Sequence, residues 1–300
     1  MEAIARRVRR GSAEYPDRLL HLHEPPAALW ARGPLRLPSE RIVGIVGTRR
    51  ATEYGRRVAH DLAFDLASAG WVIVSGLAGG IDAAAHRGAL AAGGETIGVL
   101  GCGINRVYPA SNRDLYGAIG RRGLLLSEYE PDSFPQKYHF PERNRIIAAL
   151  SSAVVVAQAG ERSGALITAD LALELGREVL AVPGPVDQAV SRGVHELLRA
   201  GAGVAESAAD VLRQLGESAG CTPGEAQRSL FDVGDPLENA CGRPAGRLRR
   251  ELADGPAPLH DLATAVGLDV SETLATLSRL ELGGVVRSLP GHRFELVRPS

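Results

Sequence analysis

Six short apolar runs limit how this chain can fold: IVGIV (42–46), VIV (72–74), TIGVL (96–100), LLLS (124–127), AVVVA (153–157) and EVLAV (178–182). They lack the strict polar/apolar alternation of half-exposed strands and read as strands buried on both faces of a parallel sheet. Between them lie stretches of helical period such as RVAHDLAFDLASAG and ALITADLALELG, each closing on a glycine suited to the position just past a helix end. Residues 41–215 are therefore expected to form an α/β domain, a Rossmann-like, doubly wound and mostly parallel sheet.

The flanks differ. The first 40 residues are proline-rich and too short for a core of their own, so they are expected to lie against the sheet as an N-terminal extension. Residues 216–242 mix Gly, Pro and charge without an apolar period and read as a linker. Within 243–300, three helical stretches (RLRRELADG, LHDLATAVGL, SETLATLSRLELGG) precede two strand-like stretches joined at Pro290-Gly291, which predicts a small C-terminal winged-helix-like domain.

With 34 basic and 35 acidic side chains, bulk charge gives no reason to bind a polyanion, so any nucleic-acid site has to be local. No run approaches the length of a membrane span, and the basic start MEAIARRVRR has no apolar stretch behind it, so a cytoplasmic protein without membrane contact is expected. Cys102, Cys221 and Cys241 lie far apart with no CxxC or Cys/His spacing, which predicts neither disulfides nor a metal site.

Ligands of open α/β sheets bind beyond the carboxyl ends of the strands. Four turns there are glycine-rich: Gly47-Thr48-Arg49, Ser75-Gly76-Leu77-Ala78-Gly79-Gly80, Gly101-Cys102-Gly103 and Gly160-Glu161-Arg162-Ser163-Gly164. A single such turn needs glycine for its backbone alone, but four in succession, two carrying arginine, suggest a rim where backbone amides and helix N-termini meet phosphate. A dinucleotide site is disfavoured, because Arg106 stands where G-x-G-x-x-G needs its last glycine and the second strand ends in Ser75-Gly76 instead of a ribose-binding carboxylate. No glycine turn carries a Walker lysine. No cofactor is expected.

The densest polar stretch is Gln136-Lys137-Tyr138-His139-Phe140-Pro141-Glu142-Arg143-Asn144-Arg145, before the helical IIAAL. Pro141 suits a first helical turn, which would leave Lys137 to Phe140 in the entering loop. Cations interleaved with aromatics are what a single strand needs, the cations for phosphates and a ring such as Phe140 for a base, although Phe140 alone would equally serve as a staple at the helix entrance. Lys137 is the sole lysine among 34 basic side chains, consistent with either chance or a site that needs a compact ammonium. No catalytic set emerges. Asp82 and His86 are spaced as a helix pair, more often a structural contact than an acid/base couple.

Together, IVGTRRATEYG, VSGLAGGIDAAAH, TIGVLGCGINRVYP, LLSEYEPDSFPQKYHFPERNRIIAAL, SGALITADLALELGREVLAVPG and LELGGVVRSLPGHRFEL resemble the DNA-processing protein A (DprA/Smf) family from about Tyr15 to Val297. The resemblance implies a non-enzymatic protein that grips single-stranded DNA, protects it and loads the RecA recombinase in natural transformation. It carries onto Gly47, Thr48, Arg49, Ser75, Gly76, Lys137, Phe140, Arg143 and Asn144 as DNA-binding positions, and implies a homodimer involving GVHELLRAGA (193–202). The chain departs from the family pattern at Gln158, where an acidic residue is usual, and at His195, where Asn is usual, departures that would alter the polarity of the rim or the dimer contact. A helical domain found ahead of the sheet in many relatives has little room in 40 residues.

An enzyme is the alternative. The glycine loops also resemble nucleoside-monophosphate phosphoribohydrolases, but the catalytic glutamate of their P-G-G-x-G-T-x-x-E motif falls on Thr168, which cannot serve as acid or base. The C-terminal domain is not expected to read duplex sequence, because its candidate recognition helix, 271–283, offers Arg279 as its single cation.

Overall fold

The computed structural model describes residues 4–34, 41–216, 248, 251–252, 255–266, 269–282, 286–289 and 293–297. The chain forms two compact units, Met1–Thr222 and Pro223–Ser300. The stretch read as a linker lies outside the described residues beyond Gly216.

In the first unit the six apolar runs become β3 (Ile42–Gly47), β4 (Val72–Ser75), β5 (Thr96–Leu100), β6 (Leu124–Ser127), β7 (Ala153–Gln158) and β8 (Glu178–Ala181), each parallel to those of the six it pairs with. With β1 (Arg6–Arg9), β2 (Ala28–Arg32) and β9 (Gly203–Val204), the sheet runs β1-β2-β6-β5-β4-β3-β7-β8-β9. From β3 the chain winds outward through β4, β5 and β6, then returns to the far side of β3 as β7. That reversal opens a crevice between the carboxyl ends of β3 and β7, the place where open α/β sheets bind ligands.

Successive strand residues supply opposite faces, as pleating requires. Val154 and Val156 join a core with α4 (His139–Leu150), α5 (Gly164–Glu174) and α6 (Arg192–Arg199), while Val155 joins one with α1 (Glu53–Ser68), α2 (Ile81–Ala91) and α7 (Ala208–Gln214). A third cluster packs α3 (Arg113–Arg122) over β5 and β6. Helix ends follow the sequence: α1 and α5 end at Ser68 and Glu174, and after the cap residues Ala69 and Leu175, Gly70 (φ +82°) and Gly176 (φ +67°) take the left-handed conformation that glycine adopts without strain.

The N-terminal residues lie against the sheet in a way their composition did not announce. β2 pairs antiparallel with β6 and β1 with β2, extending the edge, while Val8, Tyr15, Leu19, Leu29 and Ala31 fill the α4/α5 face of the core.

In the second unit, β10 (Ala257–Pro258), α8 (Leu259–Val266), α9 (Val270–Leu282), β11 (Val286–Leu289) and β12 (Arg293–Leu296) build a winged-helix arrangement, the three strands antiparallel in the order β10-β12-β11. Its core joins Leu248, Leu252, Leu262, Leu277, Leu280, Val286 and Phe294. The Pro290-Gly291 turn and the side chain of Arg279 lie outside what is described.

Candidate nucleic-acid interface

At the β3/β7 switch a cleft of about 670 Å³ is lined by Gly47, Thr48, Arg49, Lys137, Phe140, Arg143, Asn144, Ser163, Gly164 and Thr168, among others. Three segments converge on it. The turn after β3 brings Gly47 to Arg49, the N-terminal half of α4 brings Phe140 to Asn144, and the start of α5 brings Ser163 and Gly164. At α5 the Ser163 hydroxyl accepts from the Ala165 amide, and the positive end of the helix dipole points to the cleft.

The floor is buried. Arg143 is 3% exposed, and its Nη1 donates to the carbonyl of Gly76 at 2.6 Å and to that of Val99. Gly76 has no room for a Cβ because the guanidinium occupies that space. Burial pushes Arg143 down to about 10, partly offset by the charge of Asp82, so it stays protonated at neutral pH. Burial also pushes the Asp82 carboxyl up, against the pull of Arg143 and of the Ala78 and Gly76 amides. Ser75 is fully buried and its hydroxyl donates to Ile45 O at 2.6 Å. The turn after β4 is held by Asn112, whose Nδ2 donates to Leu77 O and Ala78 O. Leu77 there has φ 54°, a strained value for a non-glycine residue.

The rim is exposed. The Arg49 guanidinium sits 4.8 Å from the centre of the half-buried Phe140 ring, and Tyr108 meets the same ring at 5.4 Å. Phe140 rests on Gly101, where a Cβ would stand 2.7 Å from the ring. Lys137 is exposed and has no hydrogen-bond or ion-pair partner among the described residues. The Asn144 side chain donates to Gly164 O at 3.2 Å and ties α4 to the start of α5.

The nine positions singled out in the sequence therefore separate into two kinds. Gly47, Thr48, Arg49, Lys137, Phe140 and Asn144 line the cleft with polar or aromatic groups within reach of solvent, whereas Arg143, Ser75 and Gly76 hold the floor together. Phe140 is also not in an entering loop. α4 begins at His139, so Phe140 and Pro141 both occupy its first turn, where the missing amide of proline costs nothing because first-turn amides have no partner within the helix. Tyr108 was not singled out individually; the signal available was an aromatic in the loop that continues the Gly101–Gly103 turn at a strand's carboxyl end.

Asp82 and His86 do not pair. His86 is fully buried, its Nδ1 lies 2.7 Å from the Thr96 hydroxyl, and that hydroxyl donates to Ile73 O. His86 Nδ1 therefore carries the proton, and burial pushes the ring down to about 3, keeping it neutral. Gln158 is buried behind the turn after β3, where its backbone carbonyl accepts from the Thr48 amide at 2.7 Å. Its side-chain oxygen accepts from the Thr52 amide at 2.9 Å at the head of α1, and its Nε2 donates to the Thr52 hydroxyl at 2.9 Å, so the neutral amide satisfies the cap without the charge a carboxylate would add. His195 Nε2 bonds Gly184 O at 3.0 Å and tethers α6 to the β8 exit loop. Thr168 lies 1% exposed on the cleft wall, where the phosphoribohydrolase pattern needs a carboxylate. Among the described residues no cluster of His, Cys, Asp or Glu could hold a metal ion, and no helix is long and apolar enough to cross a membrane.

Residues 6–216 match the family model of the DNA recombination-mediator protein A, and residues 236–292 match the DprA winged helix domain. The chain is 46% identical over 207 residues to the DNA processing protein DprA of Bacillus subtilis, covering 69% of this chain and 70% of that one. It is 36% identical to Protein Smf of Escherichia coli over 95% of this chain and 75% of the other. Among solved structures, DprA of Streptococcus pneumoniae superposes with a TM-score of 0.67 at 42% identity, covering 70% of this chain and 74% of that chain. The Helicobacter pylori protein, described in terms of its single-stranded DNA binding mode, superposes at 0.64 with 34% identity over 70% of this chain and 95% of the other. The cleft thus lies within the portion matched over residues 6–216, and the chain belongs to the DNA recombination-mediator protein A family.

Proposed function

We propose that the chain binds single-stranded DNA in the β3/β7 cleft, protects it and passes it to the RecA recombinase as a cytoplasmic, non-enzymatic homodimer. The observation that carries the reading is the rim: Arg49 and Lys137 flank a half-buried Phe140 at the mouth of a cleft that also receives the α5 N-terminus. Phosphates meet the two cations and the helix end, and a base meets the ring. A duplex keeps its bases stacked inside and offers none to Phe140. The printed description of the H. pylori structure, single-stranded DNA binding, supports the same assignment. The family description, recombination mediator, supports transfer to a recombinase, the partner of class RecA.

The homodimer is assigned to residues 193–202 and the adjoining sheet edge, where Leu173 (57%) and Val204 (50%) stay exposed beside α6. Hydrolysis of nucleoside monophosphates is the competing reading. Thr168 on the cleft wall argues against it, since a threonine supplies neither general acid nor base.

The test is a titration of labelled oligo-dT and a duplex of equal length at two salt concentrations. Tighter, salt-dependent binding of the single strand is expected; equal or tighter duplex binding overturns the reading, as does release of free base from a panel of nucleoside monophosphates.

A further inference from the structure

Exposed aromatic side chains are few in this protein, yet three of the four exposed aromatics among the described residues, Tyr108, Phe134 and Tyr138, lie on two loops beside the cleft. Tyr108 belongs to the rim through its contact with Phe140. Phe134 does not line the cleft, and at 64% exposure it contributes little to any core. Its position is nonetheless fixed. The Arg106 guanidinium lies 4.0 Å from its ring centre, and Arg106 Nε donates to Asp132 O at 3.1 Å.

The two loops are joined by backbone. Gly103 N donates to Ser133 O at 2.9 Å and Asn105 N to Pro131 O at 2.8 Å, while the Asn105 side chain donates to Asp132 at 3.1 Å. Gly103 has no room for a Cβ against the carbonyls of Glu130 and Pro131, so the loops sit in direct contact. The result is a rigid ledge along which Arg106 and Tyr108, two residues apart, carry one aromatic contact each: Phe134 outside the cleft and Phe140 at its mouth.

We infer that Phe134, backed by Arg106, is a second base-stacking station on the ledge outside the cleft, extending the path of the single strand beyond the Phe140 station. This rests on the single-strand reading of the cleft. A guanidinium against one face leaves the other face of an exposed ring open, and an open π face accepts any base. Exposed Glu130 and Asp132 on the same loop offset the half-buried Arg106 charge and its Nε already donates to Asp132 O, so the station works by stacking and the Phe134 ring itself adds no counterion release.

The test uses the full chain and two labelled oligo-dT probes, one of about 4 nucleotides, filling the cleft alone, and one of about 16, reaching the ledge. Phe134→Ala is expected to leave affinity for the short probe unchanged, to weaken the long probe about tenfold and to leave its salt slope as in wild type. Phe134→Trp is expected to restore the long-probe affinity, whereas Phe134→Leu, which keeps apolar bulk without a π face, is not. Unchanged long-probe affinity in Phe134→Ala overturns the station, and so does an equal loss on both probes. Rescue by Phe134→Leu overturns stacking as its basis. A wild-type chain that binds neither probe overturns the cleft reading itself, a result distinguishable because it appears before any substitution is made.

Discussion

Two arginines line the cleft, Arg143 in its floor and Arg49 on its rim, and the environment gives them different work. Arg143 is 3% exposed and bonded to two backbone carbonyls, whereas Arg49 is exposed and touches only the face of Phe140 among its described ring contacts. A buried guanidinium cannot follow a moving phosphate. It fixes the turn after β4 to strand β5, and its charge offsets part of the Asp82 carboxylate beside it. The lesson is that a cation close to a ligand in sequence pattern is not a ligand contact until its other hydrogen bonds are known.

The comparison breaks first at Arg143. Arg143→Ala orphans the Gly76 and Val99 carbonyls and removes the charge that holds down Asp82, and each orphaned carbonyl costs about 1–3 kcal/mol. A denaturant melt should show a large loss of stability together with loss of oligo-dT binding. A variant as stable as wild type would show that the floor does not depend on it.

On the rim the expectation reverses. Arg49→Ala and Lys137→Ala should each weaken oligo-dT binding, on the order of tenfold or more, with the circular dichroism melt unchanged. Lys137→Arg should recover part of that affinity, since a planar fork replaces a compact ammonium without loss of charge. Full recovery would mean that the lone lysine reflects composition and not a requirement of the site.

How much of this was legible follows the same division. Burial on both faces made the six central strands readable, because a strand that contacts core on each side has no polar alternation to lose. β1, β2 and β9 were not readable: RRVR is a basic edge strand with one buried residue, Val8, and GV is two residues long. The rim could be read because exposed cations and a ring beside a glycine turn have few structural reasons to be there. The floor could not, because burial of Arg143 depends on β4 and β5 approaching it from residues 67 and 44 positions away. For the same reason His86 looked like a partner of Asp82 on one helix while its bond runs to Thr96 on the neighbouring strand.

His86 sharpens the contrast between interior and surface in a pH profile. Its folded value, about 3, lies below the ordinary 6.5, so below pH 6.5 the unfolded chain takes up a proton that the folded chain refuses. Stability should therefore be fully present above about 6.5 and decline as pH falls toward 3. The raised Asp82 acts in the opposite sense, losing stability as pH rises above 3.8. His86→Gln should flatten the decline between about pH 6.5 and 5 in urea melts, and an unaltered slope would remove His86 from this role.

The smallest effect is expected farthest from the rim. The second unit has its own core, and residues 241–300 carry nearly equal numbers of arginines and acids. Ending the chain after Leu215 should leave oligo-dT affinity within a few-fold of the full chain. A folded truncation that loses most of its affinity would move part of the interface to the C-terminal unit.

The central claim, that the rim cations meet phosphate and the floor does not, is tested most directly by the salt dependence of oligo-dT binding in an Arg49→Ala/Lys137→Ala double variant. Each lost phosphate contact lowers the log–log slope by about 0.7 on a single strand, so the double variant should lose about 1.4 while melting like wild type. A folded double variant with the wild-type slope would contradict the account.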